Sequence, residues 1–330
     1  MKPQSAMPIQ TTAIAHPNIA FIKYWGNRDN GLRLPVNGSI SMNLESLTTQ
    51  TTVEIQPDLF ADKLIINGRD AARKATERIS VLVDLVRKMS KRNEFALVST
   101  VNNFPVGSGI ASSASGFAAL ALAVSTAYGL HLSEIDLSRL ARRGSGSACR
   151  SIPSGFVEWQ AGTSDDDSYA FTIAPREHWD IVDLIAIVDK SHKKTGSTEG
   201  HQLAYTSPFQ HSRVEDSPRR LQICRQALLE RDFASFAAVI ELDCLMMHAV
   251  MMTSTPGLMY WKPATLEVIQ KVTSLREQGL SVCYTIDAGA NVHIITLKAN
   301  QSIVQSELQK MSLVQSLLVS GPGGPAYIPG

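Results

Sequence analysis

A stretch rich in glycine and serine, residues 105–116 with the sequence PVGSGIASSASG, has the residue types of a phosphate-binding loop. Glycines let the backbone approach an anion, and the free N–H groups of a helix start point toward it. Helix-end electrostatics contribute only about 0.3 to 1 kcal/mol per charge, whereas micromolar nucleotide binding needs about 8 kcal/mol, so hydroxyls and a cation must assist. The residues predicted to contact phosphates are Gly107, Ser108, Gly109, Ser112 and Ser113. A tight turn with small residues for helix packing is the alternative.

Two further residues could take part in acid–base or electrostatic chemistry. Asp287 precedes Ala288 and Gly289 at the end of a predicted strand, where it could orient or deprotonate an attacking hydroxyl. A capping or turn aspartate is the alternative. Lys23 lies in the apolar run NIAFIKYW. This run could be ordinary core, but lysine is rarely fully buried without a partner, so Lys23 indicates a counter-charge within the fold.

These residues lie at the ends of elements predicted from hydrophobic periodicity and turn residues. The predicted strands are residues 13–24, 39–44, 48–55, 95–101, 156–162, 181–188, 281–286 and 292–297. The predicted helices are residues 76–91, 117–128, 132–143, 213–230, 232–252 and 264–277. Glycine- and serine-rich loops, GSGIASSASG and GSGSACRS, each lie beside a predicted helix. The mixture of strands and helices predicts an α/β or α+β fold.

Length and charge restrict the classes of protein and of partner. A chain of 330 residues exceeds the roughly 250 to 300 residues at which one hydrophobic core stops growing, which predicts two domains, 1–188 and 189–330. The charges, 31 Lys and Arg against 30 Asp and Glu, argue against nucleic acid or an anionic membrane as partner. The four scattered cysteines and the absence of a signal-peptide pattern predict a reduced, cytoplasmic setting.

Three blocks in order along the chain together resemble the mevalonate diphosphate decarboxylases and their phosphomevalonate relatives, within the GHMP kinase superfamily. They are AHPNIAFIKYWGNRD from residue 15, VNNFPVGSGIASSASGFAAL continuing to RRGSGSACRS, and TIDAGANVH from residue 285. The resemblance implies a two-domain GHMP kinase fold, with a ribosomal-protein-S5-like N-terminal domain and a ferredoxin-like C-terminal domain. It also implies an active site in the cleft between the domains, and homodimers are common in this family.

The resemblance implies roles for individual residues. Asp287 is the catalytic acidic residue beside the mevalonate 3-hydroxyl, Lys23 lies near it and the transferred phosphate, and Arg150 binds the C1 carboxylate. A planar guanidinium can bind a carboxylate through two hydrogen bonds, although a surface ion pair is the alternative for Arg150. The other residues implied to bind substrate are Asn18, Tyr24, Trp25, Ser145 and Ser147. Thr100 and Asn102 fall at the adenine, and Ser113 lies by the ATP phosphates and their metal.

The implied reaction is ATP-dependent decarboxylation of a 5-phosphorylated mevalonate, with ATP and Mg²⁺ required. The related diphosphate enzymes usually have KYWGKR, whereas this chain has KYWGNR, so Asn27 replaces a lysine associated with the diphosphate. A hydrogen bond to a charged group contributes about 1.5 to 3 kcal/mol, and its loss favours mevalonate 5-phosphate as substrate and isopentenyl phosphate as product. Thr198, where some bacterial relatives have an arginine, supports the same expectation slightly.

Other readings of the sequence stay open at this point. The alternative substrate is mevalonate 5-diphosphate, which would give isopentenyl diphosphate. A kinase that stops at the 3-phosphate would release no carbon dioxide, and a decarboxylase of mevalonate 3,5-bisphosphate would need no ATP. A ligand sensor without turnover is a further alternative, against which the presence of Lys23, Arg150 and Asp287 together argues.

Overall fold

The computed structural model describes residues 9–104, 112–191 and 195–330. The helices are α1 (Arg73–Ser90), α2 (Ser112–Ala127), α3 (Glu134–Gly144), α4 (Ser197–Leu203), α5 (Gln210–Glu215), α6 (Ser217–Glu230), α7 (Phe233–Thr253), α8 (Pro263–Glu277) and α9 (Gln301–Gln309). The strands of the first half are β1 (Gln10–Ala15), β2 (Asn18–Ile22), β3 (Asn27–Asp29), β4 (Leu34–Pro35), β5 (Ser39–Asn43), β6 (Thr49–Gln56), β7 (Lys63–Ile66), β8 (Arg69–Asp70) and β9 (Phe95–Asn102). The later strands are β10 (Phe156–Trp159), β11 (Ala170–Ala174), β12 (Ile181–Ile187), β13 (Val282–Thr285), β14 (Val292–Leu297) and β15 (Ser316–Ser320).

The N-terminal half contains two sheets with a helical layer against one of them. The first sheet has the order β1-β6-β9-β7-β8, and the second has the order β11-β10-β5-β2. Helix α2 lies on β1 and β6, and its alanines, including Ala118, Ala119 and Ala121, are completely buried. Such small side chains allow the helix backbone to approach the sheet closely, and this fixes the position of its serine-rich start.

The C-terminal half is built on a sheet with the order β13-β14-β12-β15, in which every neighbouring pair is antiparallel. Helices α7, α8 and α9 pack on this sheet, and α6 and α7 also contact β2 of the N-terminal half. Apolar side chains from both halves, such as Phe21 and Phe236, share one buried cluster. The two halves are therefore joined by a continuous core beside the cleft.

The predicted boundary after residue 188 separates β12 from the strands with which it pairs. Strand β12 precedes that boundary, but it lies between β14 and β15 in the C-terminal sheet. All seven of its residues are buried, as expected for a central strand. The chain therefore enters the C-terminal sheet before the polar segment that predicted the boundary, while the boundary between residues 188 and 189 stays a prediction.

Helix α7 is long and apolar enough to cross a membrane by length and composition alone. Half of its most apolar window is buried inside the protein, where the helix packs on α6, β2 and β13. These contacts are those of a core helix.

Candidate active site

A cleft of about 1100 Å³ brings together most of the residues predicted to act on substrate. The predicted residues on its wall are Lys23, Tyr24, Trp25, Ser112, Ser113, Ser145, Ser147, Arg150, Thr198 and Asp287. They come from the end of β2, the start of α2, the loop after α3, the start of α4 and the loop after β13. The fold thus assembles one site from segments that are far apart in the sequence.

Lys23 and Asp287 form an ion pair at the bottom of the cleft. The Nζ atom of Lys23 lies 2.6 Å from Oδ1 of Asp287, and the lysine side chain is 1% exposed against 26% for the aspartate. Burial opposes ionisation of Asp287, but the electrostatic effects of Lys23, His293 and Arg150, together with the hydrogen bond from Lys23, outweigh burial and lower the pKa of Asp287. Asp287 is therefore an ionised acceptor that remains open to the cleft, and it is the counter-charge that the buried Lys23 was predicted to need.

A buried charge network fixes the backbone of Lys23. Its N–H donates to Oδ2 of Asp243 at 2.6 Å, and its carbonyl accepts from Arg213 at 2.7 Å. Asp243 in turn pairs with Arg220 at 2.8 Å, and both of these side chains are fully buried. Because α5, α6 and α7 supply these three residues, the C-terminal half positions Lys23, a predicted catalytic residue of the N-terminal half.

Side chains of α7 form hydrogen bonds with the backbone of Ile286, immediately before Asp287. The Ile286 N–H donates to Sγ of Cys244 at 3.2 Å, and the Ile286 carbonyl lies 3.2 Å from Nε2 of His248. Burial lowers the pKa of His248 to about 4, so its ring is neutral near pH 7 and Nε2 carries the proton donated to the carbonyl. These contacts fix the direction in which Asp287 leaves β13.

Arg150 projects into the cleft from a short 3₁₀ helix, Gly146–Ser151. Its Nε and one terminal nitrogen donate to Oδ1 of Asn18 at 3.2 and 3.0 Å, and its other terminal nitrogen donates to Oγ of Ser39 at 2.7 Å. A guanidinium has five N–H donors, so two remain for a ligand. Within the described residues no carboxylate lies within 4 Å of Arg150, which argues against the alternative of a surface ion pair.

Asn18 was expected to contact substrate, but the structure does not place it on the cleft wall. Its oxygen accepts from Arg150, and its amide donates to the Ser147 carbonyl at 3.1 Å and to Oγ of Ser151 at 2.7 Å. These bonds use both amide protons and both lone pairs of the carboxamide. The geometry thus supports positioning of Arg150 rather than a direct contact.

Tyr24 and Trp25 pack around His201 of α4. The His201 ring stacks on Tyr24 at a centroid distance of 4.1 Å and lies 4.5 Å from Trp25. His201 also accepts a hydrogen bond from the Gly26 N–H through Nδ1 at 2.9 Å. A methyl group added at Gly146 would lie 2.5 Å from the Tyr24 ring, so this glycine leaves space for the tyrosine.

Asn27 also lies outside the cleft wall. Its oxygen accepts a hydrogen bond from the Tyr24 hydroxyl, and its amide donates to Oδ1 of Asn30 at 3.0 Å. Burial raises the pKa of Tyr24, which keeps this hydroxyl protonated as the donor. Asn27 therefore orients the tyrosine, and its side chain does not line the cleft.

Three cations on the cleft wall were missed in the sequence analysis. They are Arg33 before β4, and Lys74 and Arg78 on α1. The sequence had predicted only two cations at the site, Lys23 and Arg150. The signal for α1 was available, because Lys74 and Arg78 are four residues apart and share one face of the helix.

A second cavity of about 250 Å³ lies beside the cleft and is mostly apolar. Thr100 and Asn102 of β9 line it, together with Phe117 of α2, and Ser112 and Ser113 line both cavities. The Ser113 hydroxyl lies 3.2 Å from that of Ser145. The two cavities therefore meet at the start of α2, while the predicted phosphate contacts Gly107, Ser108 and Gly109 lie outside the described residues.

The fold and the site define a two-domain α/β protein of the GHMP kinase superfamily, with an acid–lysine pair and an arginine facing a nucleotide-sized pocket. The sequence model described as "Diphosphomevalonate decarboxylase-like N-terminal domain" matches residues 15–170, and "Mevalonate 5-diphosphate decarboxylase C-terminal domain" matches residues 183–318. The chain belongs to the diphosphomevalonate decarboxylase family.

Individual relatives agree with this assignment. The chain is 39% identical to the diphosphomevalonate decarboxylase of Candida albicans over 311 residues, 89% of this chain and 86% of the relative. The structure of mevalonate diphosphate decarboxylase from Staphylococcus aureus superposes with a TM-score of 0.92 and 36% identity, covering 98% of this chain and 99% of that one. A structure described as MDDEF in complex with MVAPP, AMPPCP and magnesium gives the same values. The enzyme class and the two-domain fold expected from the sequence are thus confirmed.

Proposed function

We propose that this enzyme catalyses the ATP-dependent decarboxylation of mevalonate 5-diphosphate to isopentenyl diphosphate, carbon dioxide, ADP and phosphate. The observation that carries the proposal is the ionised Asp287 beside the buried Lys23, in the same cleft as an arginine with free donors. The names of the curated relatives and the MVAPP complex of a structural relative support the diphosphate over the monophosphate first expected from Asn27.

The first chemical step is phosphorylation of the C3 hydroxyl. Asp287 accepts the hydroxyl proton as the oxygen attacks the γ-phosphorus of ATP, and ADP leaves. A carboxylate of lowered pKa is a weak base, but phosphoryl transfer depends mainly on positioning and on electrostatic stabilisation. The positive charge of Lys23 holds Asp287 in its ionised form and offsets negative charge that develops on the transferred group.

The second step breaks two bonds and forms one double bond. The electron pair of the C1–C2 bond becomes the C2–C3 π bond, carbon dioxide leaves from C1, and phosphate leaves from C3 with the pair of the C3–O bond. Arg150 binds the C1 carboxylate through its two free N–H groups and so holds the C1–C2 bond in line with the departing phosphate. Orientation of this kind can lower a barrier by several kcal/mol.

The small apolar cavity fits the adenine, and the start of α2 fits the phosphates. The first turn of α2 contains no acidic residue, and Ser113 is exposed to the cleft. Within the described residues no cluster of three His, Cys, Asp or Glu could hold a metal, so Mg²⁺ would rest on nucleotide phosphates, water and the Ser113 hydroxyl. The ion would neutralise charge on the phosphates, and AMPPCP, an ATP analogue, accompanies magnesium in the solved relative.

Mevalonate 5-phosphate is the second candidate substrate, because both polar atoms of Asn27 are engaged within the protein. Measurement of kcat/KM for the monophosphate and the diphosphate at one ATP concentration decides between the two. We expect the diphosphate to be favoured by about tenfold or more, the value of one hydrogen bond to a charged group. A preference for the monophosphate would overturn the choice of substrate but not the reaction class.

Substitution of Asp287 tests the reaction class. The Asp287→Asn variant retains the shape of the side chain but cannot accept the proton, so release of carbon dioxide should fall by about 10² to 10⁴. A far-ultraviolet circular dichroism spectrum and the urea midpoint check that the variant is folded. Full ATP-dependent release of carbon dioxide by a folded variant would contradict the mechanism.

A further inference from the structure

We propose that Arg33 binds the outer phosphate of the substrate diphosphate, and that it thereby replaces the lysine expected at position 27. This inference rests on the proposed function and concerns a residue to which the sequence motifs give no role. It is carried by the position of Arg33 on the cleft wall, its free donors and its lack of a carboxylate partner.

The positions of residues 27 and 33 are linked by a short hairpin. Strand β3 begins at Asn27, strand β4 begins directly after Arg33, and Asn27 pairs with Pro35 across the hairpin. Arg33 has a left-handed backbone, with φ at +53°, which ends the turn and directs its side chain to the cleft. Asn27 and Arg33 thus lie on opposite arms of one hairpin. A cation at position 33 can therefore bind a ligand that lies near position 27.

Arg33 reaches the part of the cleft that Tyr24 and Ser145 line. Tyr24 is hydrogen-bonded to Asn27, and the positive charge of Arg33 opposes the rise that burial causes in the pKa of Tyr24. Arg33 donates through Nε to the Arg143 carbonyl at 3.0 Å, two residues before Ser145. Both terminal nitrogens of Arg33 lack a hydrogen-bond partner among the described residues, so this planar fork remains available to a phosphate.

Arg33 and Arg78 lack an ion-pair partner among the described residues, and Glu77, which lines the same cleft, pairs with Arg73. In the described residues, no carboxylate oxygen lies within 4 Å of a guanidinium nitrogen of Arg33 or Arg78. Both side chains are half-buried. Burial lowers the pKa of both, and the charge of Arg33 lowers the pKa of Arg78 further. By contrast, Arg87 pairs with Asp62 at 2.8 Å. The guanidinium groups of Arg33 and Arg78 are thus two positive charges without an ion-pair partner among the described residues. Binding of a highly charged anion would stabilise them.

Capping of α3 is the structural alternative for this pair. Arg33 donates to the Arg143 carbonyl and Arg78 donates to the Gly144 carbonyl at 3.3 Å, and both carbonyls lie at the C-terminus of the helix. A cation at such an end contributes about 0.3 to 1 kcal/mol to stability. This role uses one nitrogen of each guanidinium, and it predicts a change in stability without a change in ligand affinity.

The test measures binding of both mevalonate phosphates in the absence of ATP by isothermal titration calorimetry. We expect Arg33→Met to raise the Kd for the diphosphate by about 10- to 100-fold, the value of a hydrogen bond to a charged group, and to change the Kd for the monophosphate less than threefold. Arg33→Lys should restore part of the affinity. Asn27→Lys in the Arg33→Met background should restore it as well, because it returns the cation to the other arm of the hairpin.

Arg28→Met is the matched control. Arg28 belongs to the same hairpin and donates to the carbonyls of Pro35 and Ala161 at 3.0 Å, but it does not line the cleft. An unchanged diphosphate Kd in Arg33→Met, or equal losses for both ligands, would overturn the inference and leave the proposed function intact. Binding and conversion of both ligands by the wild-type enzyme are measured first. Binding and conversion of the monophosphate alone would overturn the proposed function itself.

Discussion

The ion pair of Lys23 and Asp287 decides the protonation state on which the first chemical step depends. Burial alone would favour the neutral carboxyl, and the adjacent ammonium reverses this preference. The Lys23 side chain is 1% exposed and lies 2.6 Å from the Asp287 carboxylate, while Asp243 and Arg213 hold its backbone N–H and carbonyl. Asp287 and Lys23 therefore act as one unit, and substitution of either residue should change the electrostatic environment of the other.

Replacement of Lys23 should move the pH profile in a defined direction. In Lys23→Met the burial of Asp287 remains while the nearest positive charge is lost, so the pKa of Asp287 should rise. The acid limb of the kcat/KM profile should then shift to higher pH, because the base becomes protonated earlier as the pH falls. The value of kcat at the optimum should fall by about 10² to 10³, as when one charge-stabilising donor is removed.

The control for this profile is Lys63→Met, an exposed substitution on β7. Its acid limb should coincide with that of the wild type. An acid limb in Lys23→Met that also coincides with the wild type would mean that Asp287 is not the group titrated, and it would contradict the assignment of the base.

The loop after α3 positions several site residues because its glycines allow close packing. Gly146 lies against Tyr24, and Gly144 lies so close to Phe117 that an added methyl group would fall 2.0 Å from its ring. Phe117 belongs to α2, so the loop, the helix and the end of β2 fit together only without side chains at these positions. The two glycines of GSGSACRS thus have a packing role.

Gly146→Ala tests this packing through the substrate. The added methyl group meets atoms of the Tyr24 ring at 2.5 to 2.7 Å, so the ring must move and its bond to Asn27 must weaken. We expect KM for the substrate to rise about tenfold, the value of roughly 1.4 kcal/mol. Gly321→Ala is the control, because a methyl group there meets no atom within 4 Å. Equal KM values for the two variants would show that Tyr24 does not depend on this glycine.

The sequence predicted most elements, and its errors have local causes. Helix α2 begins at Ser112, not at 117, because the small residues 112–116 continue the helix before its apolar part. The predicted helix 213–230 is divided into α5 and α6, and Pro218 occupies the first turn of the second helix. Six strands and two helices were not predicted, since their short segments lack a clear period. They are β3, β4, β7, β8, β11, β15, α4 and α9.

At the scale of the whole molecule, the site could be predicted as a set of residues but not as a geometry. The three motif blocks correctly predicted that Lys23, Arg150 and Asp287 lie in one cleft. The sequence could not show that the side chains of Asn18 and Asn27 form hydrogen bonds within the protein, or that Arg33 lines the cleft from a turn. These facts depend on which distant segments lie beside each residue, and side-chain type and local spacing do not determine this.

The C-terminal tail ties the two halves of the molecule together. After β15 in the C-terminal sheet, the chain returns to the N-terminal half, where Ile14 and Tyr327 exchange two backbone hydrogen bonds of 2.8 and 2.9 Å. The Ala326 N–H donates to the Ile152 carbonyl at 3.0 Å, and the Gly323 N–H donates to the Asn43 carbonyl at 2.8 Å. Because β1 is an edge strand, this tail also covers backbone groups that would otherwise be open to pairing.

Deletion of residues 322–330 should therefore destabilise the whole protein. The deletion removes these four backbone hydrogen bonds and a fifth, from the Gly155 N–H to the Gly323 carbonyl at 2.9 Å. At a net 0.5 to 1.5 kcal/mol each, they predict a loss of about 2.5 to 7.5 kcal/mol in the free energy of unfolding, measured by urea denaturation. Exposure of the β1 edge should also increase aggregation, measured by light scattering during the same experiment. Tyr327→Ala, which removes the side chain but keeps the backbone bonds, should lose less stability than the deletion. If the deletion has the urea midpoint of the full chain, the tail does not hold the two halves together, and the shared core alone must do so.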